Sequence, residues 1–213
     1  MRKQLCVGLT ALALATLAIP ARAQNFLTGS LKAIGPGYLR MTGAPTHMFG
    51  RDGAPDRTGG AFRMGYGLSD SFGLEGKAAV FDGVTLVGGD GHYRLFNSDD
   101  TTVSLSVGGH QAVMSHAPDS TALDLAAEVH THATPRLDLY GGTSFSYEFV
   151  DNAAGTDFAR VYVVPGIRYA LANRVDLVVE GGVGLNRNSP HYVAAGFAWR
   201  VPASDSARER DRR

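Results

Sequence analysis

The chain has 213 residues, with 20 basic and 20 acidic side chains, and its single cysteine is Cys6. This length suits one domain of ordinary size, and the balanced charge gives no electrostatic basis for nucleic-acid binding. One cysteine excludes a disulfide framework and a thiolate zinc site.

The N-terminus has the pattern of an export signal. Two basic residues precede an apolar run over residues 5–19, and the tripeptide Ala-Arg-Ala that ends at Ala23 supplies a small-residue cleavage site. The sequence therefore predicts a signal peptide over residues 1–23, cleaved after Ala23. The apolar run is shorter than the ~18 residues that a bilayer-spanning helix needs.

Beyond this leader the sequence is a series of alternating apolar and polar runs, separated by turn residues, with no convincing amphipathic helix. Candidate strands cover residues 61–68, 72–81, 84–96, 101–113, 121–133, 136–149, 157–170, 174–185 and 191–201. Residues 35–42 supply a tenth strand, and the glycine- and proline-rich residues 43–60 are then predicted to form a loop. Residues 24–34 are predicted to be a periplasmic segment, and residues 202–213 a charged disordered tail.

These strands predict an all-β protein, a single antiparallel up-and-down transmembrane β-barrel over residues 35–201. The strand number is about ten, with eight as the alternative, and such barrels have short periplasmic turns and longer outer loops. We expect the short turns and both termini in the periplasm. The segments around 44–60, 114–121, 150–157 and 186–190 are then expected outside the cell.

Strict alternation shows that each strand has two different faces, but it leaves open which face is inside. Glycine is frequent on the polar face, as at Gly142 and Gly182, and a narrow barrel interior requires small residues. Aromatic residues such as Phe149 and Trp199 lie on the apolar face near strand ends, as in membrane-interface girdles. This pattern favours a membrane barrel. A soluble periplasmic lipocalin-like barrel that binds a small apolar ligand is the alternative.

A resemblance to a known family rests mainly on the stretch "VPGIRYALANRVDLVVEGGVGLNRNSPHYVAAGFAWR", Val164–Arg200, and on "YGLSDSFGLEG" at residues 66–76. These hairpins resemble the bacterial outer-membrane barrels described as phenol-degradation (meta-pathway) proteins or transporters. The resemblance implies an outer-membrane barrel and a transport role. One feature departs from the family: its chains usually end at the aromatic residue that closes the last strand, whereas Val201–Arg213 continue here.

The polar face is rich in charge, and we predict a charge network that lines a narrow lumen. Hairpin register places Arg63 opposite Glu75, Arg168 opposite Asp176, and His110 opposite or diagonal to Asp124. Such a network is either a structural plug of ion pairs or a gated solute pathway. Its predicted members are Arg63, Glu75, Lys77, Asp90, Arg94, His110, Asp124, Glu128, Asp138, Arg160, Arg168, Asp176 and Glu180.

Three histidines raise the question of a metal site. His130 and His132 share a face at strand spacing, and His92 is predicted at a similar depth. Because no carboxylate completes a recognisable ligand set, we predict no metal and no cofactor. No serine follows a histidine by two residues, as in the His-x-Ser pair of barrel hydrolases, and Ser189 precedes His191 in the wrong order at a loop edge. No enzymatic activity is therefore predicted.

The sequence thus predicts an integral protein of the cell outer membrane, either a transporter or a structural surface barrel. Its expected partners are outer-membrane lipid and, during insertion, the barrel-assembly machinery. Neither a solute nor a nucleic-acid partner can be named from these residues.

Overall fold

The computed structural model describes residues 34–51, 54–115, 118–151 and 156–210. The predicted signal peptide and nearly all of the predicted periplasmic segment lie outside these residues. These described residues form ten strands and one short helix, α1 (Asp205–Arg210). The strands are β1 (Tyr38–Phe49), β2 (Arg57–Gly67), β3 (Phe72–Phe81), β4 (Val84–Asn97), β5 (Thr101–Met114), β6 (Ser120–Thr134), β7 (Leu137–Val150), β8 (Phe158–Ala172), β9 (Val175–Gly184) and β10 (His191–Pro202).

The ten strands form one closed antiparallel barrel in which each strand pairs with its neighbours in the sequence. Strand β1 closes the cylinder by pairing with β10, from Tyr38 opposite Pro202 to Phe49 opposite His191. Closure removes the unpaired edges of the sheet. The prediction of an up-and-down barrel with ten strands is confirmed, and the eight-strand alternative is not adopted.

The exterior of the barrel is apolar and its interior is charged. Val80 and Val87 on the outer face are each 59% exposed, whereas Asp124 and Glu128 on the inner face are 0% and 1% exposed. A lipid-facing barrel has this polarity, because hydrocarbon replaces water outside while polar groups are retained inside. The structure does not favour the lipocalin-like alternative, which requires the opposite arrangement.

The first hairpin differs from the sequence prediction. Residues 43–60 were predicted to form a loop, but β1 continues to Phe49 and β2 begins at Arg57. Pro45 is compatible with a strand because it lies where no pairing with β10 is formed, while its pairing with Gly60 on β2 persists. A proline has no N–H to donate, so an interrupted ladder is where a strand tolerates it.

The C-terminal segment also differs from the disordered tail that was predicted. The described part of that tail contains α1, whose Ala207 is fully buried. The backbone N–H groups of Ala203 and Ser204 donate to the carbonyl oxygen of Gly37, over 2.8 and 3.1 Å. The Tyr38 hydroxyl donates to the Ala207 carbonyl over 3.2 Å. These contacts fasten the last described residues to the start of β1.

No helix among the described residues is long and apolar enough to cross a bilayer.

The polarity of the barrel can be checked with nitroxide labels, because the sequence has a single cysteine, Cys6, which lies in the predicted signal peptide. A label at Val87→Cys, on the outer face, should collide with oxygen more than with a water-soluble nickel complex in lipid bilayers, because oxygen concentrates in hydrocarbon. A label at Asp99→Cys, in the exposed β4–β5 turn, is the matched control and should show the reverse. Preferential nickel collisions at Val87 would contradict a lipid-facing exterior.

Candidate functional site

The interior of the barrel has two ends with different connections. At the turn end, short turns join β2 to β3, β4 to β5, β6 to β7 and β8 to β9, and the first and last strands begin and end there. At the loop end lie the connections from β1 to β2, β3 to β4, β5 to β6, β7 to β8 and β9 to β10.

A continuous set of ion pairs lies in the middle of the barrel. Arg63 forms an ion pair with Glu75, and its Nη2 atom lies 2.5 Å from Oδ2 of Asp90. Lys77 Nζ lies 2.7 Å from Oδ1 of Asp90 and 2.6 Å from Oδ2 of Asp124. Lys77 therefore bridges two carboxylates that belong to different strands.

His110 extends this set, since its Nδ1 lies 2.8 Å from Oδ2 of Asp124. We call these residues the central charge cluster: Arg63, Glu75, Lys77, Asp90, His110 and Asp124. They come from β2, β3, β4, β5 and β6, and each stands at an alternate position of its strand that points inward. Long side chains at such positions reach across one or two neighbouring strands, so a ladder of pairs forms across half of the barrel wall.

The register of these strands corrects two of the predicted pairings. Arg63 is directly opposite Lys77 rather than Glu75, so the Arg63–Glu75 pair is diagonal. Arg168 is opposite Asp138 and forms an ion pair with it, whereas its Nε lies 3.9 Å from Asp176. The turn residues allowed more than one register, and sequence alone could not choose between them.

The third predicted pairing, between His110 and Asp124, is formed diagonally between β5 and β6. Asp124 is opposite Gly108, two residues from His110 along β5, and the His110 ring reaches it over the small glycine. A Cβ atom at Gly108 would lie 2.3 Å from the Asp90 carboxylate on the other side. The glycine therefore leaves the space in which the two aspartates are accommodated.

On the opposite wall, two tyrosines share one carboxylate. The hydroxyls of Tyr140 and Tyr192 donate to Glu180 over 3.2 and 2.6 Å. Each ring lies flat against a glycine of a neighbouring strand: a Cβ atom at Gly166 would be 2.1 Å from Tyr140, and one at Gly182 would be 1.8 Å from Tyr192. The buried charge of Glu180 is thus hydrogen-bonded, and the rings fill the interior between β7 and β10.

At the turn end, a further group of charges surrounds a cavity of about 470 Å³, the turn-end cavity. Asp138 forms ion pairs with both Arg168 and His132. Asp176 lies 3.7 Å from Arg200 Nη2. Basic residues outnumber acidic ones around this cavity, which opens where the short turns meet solvent.

At the loop end lies a larger cavity of about 840 Å³, the loop-end cavity, which the sequence analysis missed. The inward positions of β3 and β4 change there from charged residues to Phe81 and Leu86, and Met48 continues the apolar surface on β1. This change of residue type along the inward face was the available signal.

The interior is closed between the two cavities. Every strand contributes at least one inward side chain, midway between the two ends, that is at most 4% exposed. A water-filled channel would leave such side chains exposed, because they would line it. One such residue from each strand, in chain order, is Thr42, Arg63, Glu75, Asp90, Ser106, Asp124, Ser144, Val164, Glu180 and Ala194.

All thirteen residues of the predicted lumen network are on the inward face, but they do not form one cluster. Six of them form the central charge cluster, and Glu128 lies 3.0 Å from His130. Arg160 is at the loop end and Arg94 at the inward face near the turn end. The sequence analysis left out Arg40, whose Nη2 lies 3.5 Å from Glu75 and which is 5% exposed. Its alternation with Thr42 and Thr46 along β1 was the signal for it.

The three histidines considered for a metal site are each next to a carboxylate but are not brought together. His92 Nε2 lies 3.8 Å from Glu75, and His130 pairs with Glu128 and His132 with Asp138. Within the described part of the chain, no group of three or more His, Cys, Asp or Glu residues is arranged to hold a metal ion.

Comparison with known proteins bears on the fold. No protein-family model matches the chain, and no curated protein matches it. An outer membrane channel from Pseudomonas putida F1 is 11% identical over 81% of this chain and 98% of that chain, with a TM-score of 0.53. The chain has the fold of a transmembrane β-barrel.

Two further solved structures are similar with lower scores. The outer membrane protein OprG from Pseudomonas aeruginosa is 14% identical over 79% of this chain and 98% of that chain, with a TM-score of 0.42. A de novo designed transmembrane β-barrel is 18% identical over 79% of this chain and 99% of that one, with a TM-score of 0.41.

The contact between Tyr192 and Gly182 can be tested with neighbouring glycines. Gly182→Ala should lower the free energy of unfolding by about 1–3 kcal/mol, because the added methyl group overlaps the tyrosine ring. Gly181→Ala is the matched control, since its Cβ would be 3.8 Å from the nearest atom, and it should stay within about 0.5 kcal/mol of the original protein. Urea unfolding in phospholipid vesicles measures both. Equal losses would show that the ring is not packed on Gly182.

A pair of double-mutant cycles tests the register at the turn end. The coupling free energy between Arg168→Ala and Asp138→Ala should exceed about 1 kcal/mol, because these two side chains form a direct ion pair. The coupling between Arg168→Ala and Asp176→Ala should be smaller, because these groups are 3.9 Å apart and Asp176 also has Arg200. The reverse order would show that the register in solution is the one predicted from the turns.

Proposed function

We propose that the protein is an integral outer-membrane barrel that is closed to solutes at rest and serves as a structural surface barrel. The observation that carries this proposal is the filled interior, in which a buried side chain from every strand closes the space between the two cavities. Small barrels are filled by their own side chains, whereas porins with many more strands enclose water. The filling here is mostly charged or polar rather than apolar.

The location in the outer membrane is part of the same proposal. A closed sheet with an apolar exterior satisfies its backbone hydrogen bonds internally, as a chain in hydrocarbon must. The export pattern over residues 1–23 supports a route out of the cytoplasm. On this proposal the turn end faces the periplasm, the loop end faces outward, and membrane lipid and the assembly machinery are the partners. The proposed role is not catalytic.

A second candidate function is a gated pathway for small solutes. Two cavities of about 840 and 470 Å³ face each other across the central charge cluster, as the entrance and exit of a closed pathway would. Breaking one buried ion pair and leaving a partner unpaired costs about 3–5 kcal/mol. Lys77 contacts two carboxylates, so an exchange of partners would open the cluster at a lower cost than full separation.

Conductance in planar lipid bilayers distinguishes these roles. The unaltered protein should show no conductance steps. A charge-balanced variant with serine at Arg63, Lys77, Asp90 and Asp124 should show them, because it removes the long side chains that close the middle. The control carries serine at Arg168 and Asp138, a paired set at the turn end, and should stay closed.

Steps in the unaltered protein at moderate voltage would contradict the closed barrel. Steps that appear only after a change of voltage or pH would favour the gated pathway over the structural role. A quadruple variant that inserts normally and remains closed would show that another part of the interior is the barrier.

A further inference from the structure

We propose that the loop-end cavity is a binding site for a small organic carboxylate with an apolar body. This inference goes beyond the closed barrel, because a ligand can occupy the cavity without passing through the protein. It rests on three features of the cavity: an apolar floor, an arginine-rich rim and a loop held in place by hydrogen bonds.

The floor of the cavity is apolar and largely buried. Met48, Phe81, Leu86 and Ala112 belong to a buried cluster inside the barrel, and Met114 packs against that cluster from β5. Unbranched methionine side chains adapt to ligands of different shape. An aromatic ring or a short alkyl chain would bury its surface here, whereas a fully hydrated ion would gain nothing from these contacts.

Arginines surround the mouth of the cavity, and acidic groups are fewer. Among the described residues, Arg51, Arg57, Arg160 and Arg187 line it together with a single acidic residue, Glu148. A guanidinium group has a planar fork of N–H donors that matches both oxygens of a carboxylate. The excess of positive charge therefore favours an anionic ligand over a neutral or cationic one.

The single glutamate is already engaged. Oε1 of Glu148 lies 3.4 Å from Nε of Arg160, and its Oε2 accepts a hydrogen bond of 2.8 Å from the Ser120 hydroxyl. No carboxylate of the described residues pairs with Arg57 or Arg187. These two arginines are therefore the ones that would meet the carboxylate of a ligand.

The β9–β10 loop, residues 185–190, fixes one side of the mouth. The Ser189 hydroxyl accepts a hydrogen bond of 3.0 Å from the Val161 backbone N–H and donates to Asn186 Oδ1 over 2.5 Å. Arg51 Nη1 donates to the carbonyl oxygens of Gly184 and Asn186 over 3.0 and 3.1 Å. A loop held to β8 and to the β1–β2 connection presents Arg187 at a defined place, which reduces the entropy lost on binding.

The volume of the cavity limits the size of the ligand, and its lining residues determine the chemical class. A volume of about 840 Å³ is within the range of cavities that hold small organic molecules. The floor calls for an apolar body and the rim for one negative charge at its end. An inorganic anion such as phosphate would meet only the rim, and a hydrocarbon would meet only the floor.

The experiment uses the complete barrel reconstituted in lipid nanodiscs and three water-soluble probes that differ in one group. 3-Phenylpropionate is the anion, 3-phenylpropanol the neutral analogue and 3-phenylpropylammonium the cation. Isothermal titration calorimetry against protein-free nanodiscs removes the contribution of partition into lipid. We expect saturable binding of the anion, with the neutral and cationic probes and inorganic phosphate each at least about tenfold weaker.

Two rim variants place this binding in the cavity. Arg57→Gln and Arg187→Gln should each weaken binding of 3-phenylpropionate about threefold to fivefold, the range of a partly exposed ion pair. Arg136→Gln is the matched control, because it removes the same charge at the turn-end cavity, and it should leave affinity unchanged. A floor variant, Met114→Gln, should weaken the anion while leaving phosphate unaffected.

Two outcomes would overturn the proposal. Equal binding of all three organic probes would show partition or apolar contact without recognition of charge. A loss of affinity in Arg136→Gln as large as in the rim variants would place the site at the other end or show an effect of net charge alone. Heat-modifiable migration on gels checks that each variant is folded, so that a lost site is not confused with a lost barrel.

Discussion

The interior of this barrel is governed by the need to pair every buried charge. Arg63, Glu75, Asp90 and Asp124 are each at most 4% exposed, and an ion without a partner in such a place is strongly unfavourable. The outer wall cannot supply partners, because it is apolar and faces lipid. The pairs must therefore form across neighbouring strands, and the alternation of residues along each strand brings them to the same face. The same requirement explains why Gly108, Gly166 and Gly182 are on that face, since they provide room for the side chains that meet there.

The two ends of the interior solve this requirement differently. At the turn end, aspartates and arginines continue to pair around a small cavity that is open to solvent. At the loop end, the inward residues of the strands are apolar, and the charged residues lie at the rim of a larger cavity. A closed middle thus separates a polar pocket from an amphipathic one. The asymmetry arises from the inward faces of the strands and from the loops that carry part of the arginine rim.

Much of the fold could be predicted from the sequence, because alternation and turn chemistry are local signals. The strand count followed from alternation and turn residues. The inward placement of Asp124 and Glu180 also needed the glycines of the polar face and the aromatic residues of the apolar face, because alternation alone does not say which face is inside. The register did not follow from these signals, since Arg63 can reach Glu75 from either of two alignments of the hairpin. The extent of β1 was missed because Pro45 is a loop signal in most contexts, and only the interrupted pairing with β10 makes it compatible with a strand.

The loop-end cavity was the other feature that the sequence could not reveal directly. Met48, Phe81 and Leu86 come from three strands, and only the closed barrel brings them to one floor. An apolar residue at an inward position also resembles ordinary filling when its strand is considered alone. The arginines of the rim belong to separate loops and strand ends, so their proximity depends on the complete cylinder.

The hydrogen bonds that join residues 203–207 to Gly37 and Tyr38 bear on how the cylinder is sealed. Strands β1 and β10 are the most distant in the chain, so their seam must join the two ends of the whole sheet and carries the greatest cost of chain closure. Ala203, Ser204 and Tyr38 form hydrogen bonds across this seam beyond the end of the ladder itself. Residues 203–207 therefore stabilise the pairing of β1 with β10, which the folding of local hairpins cannot form.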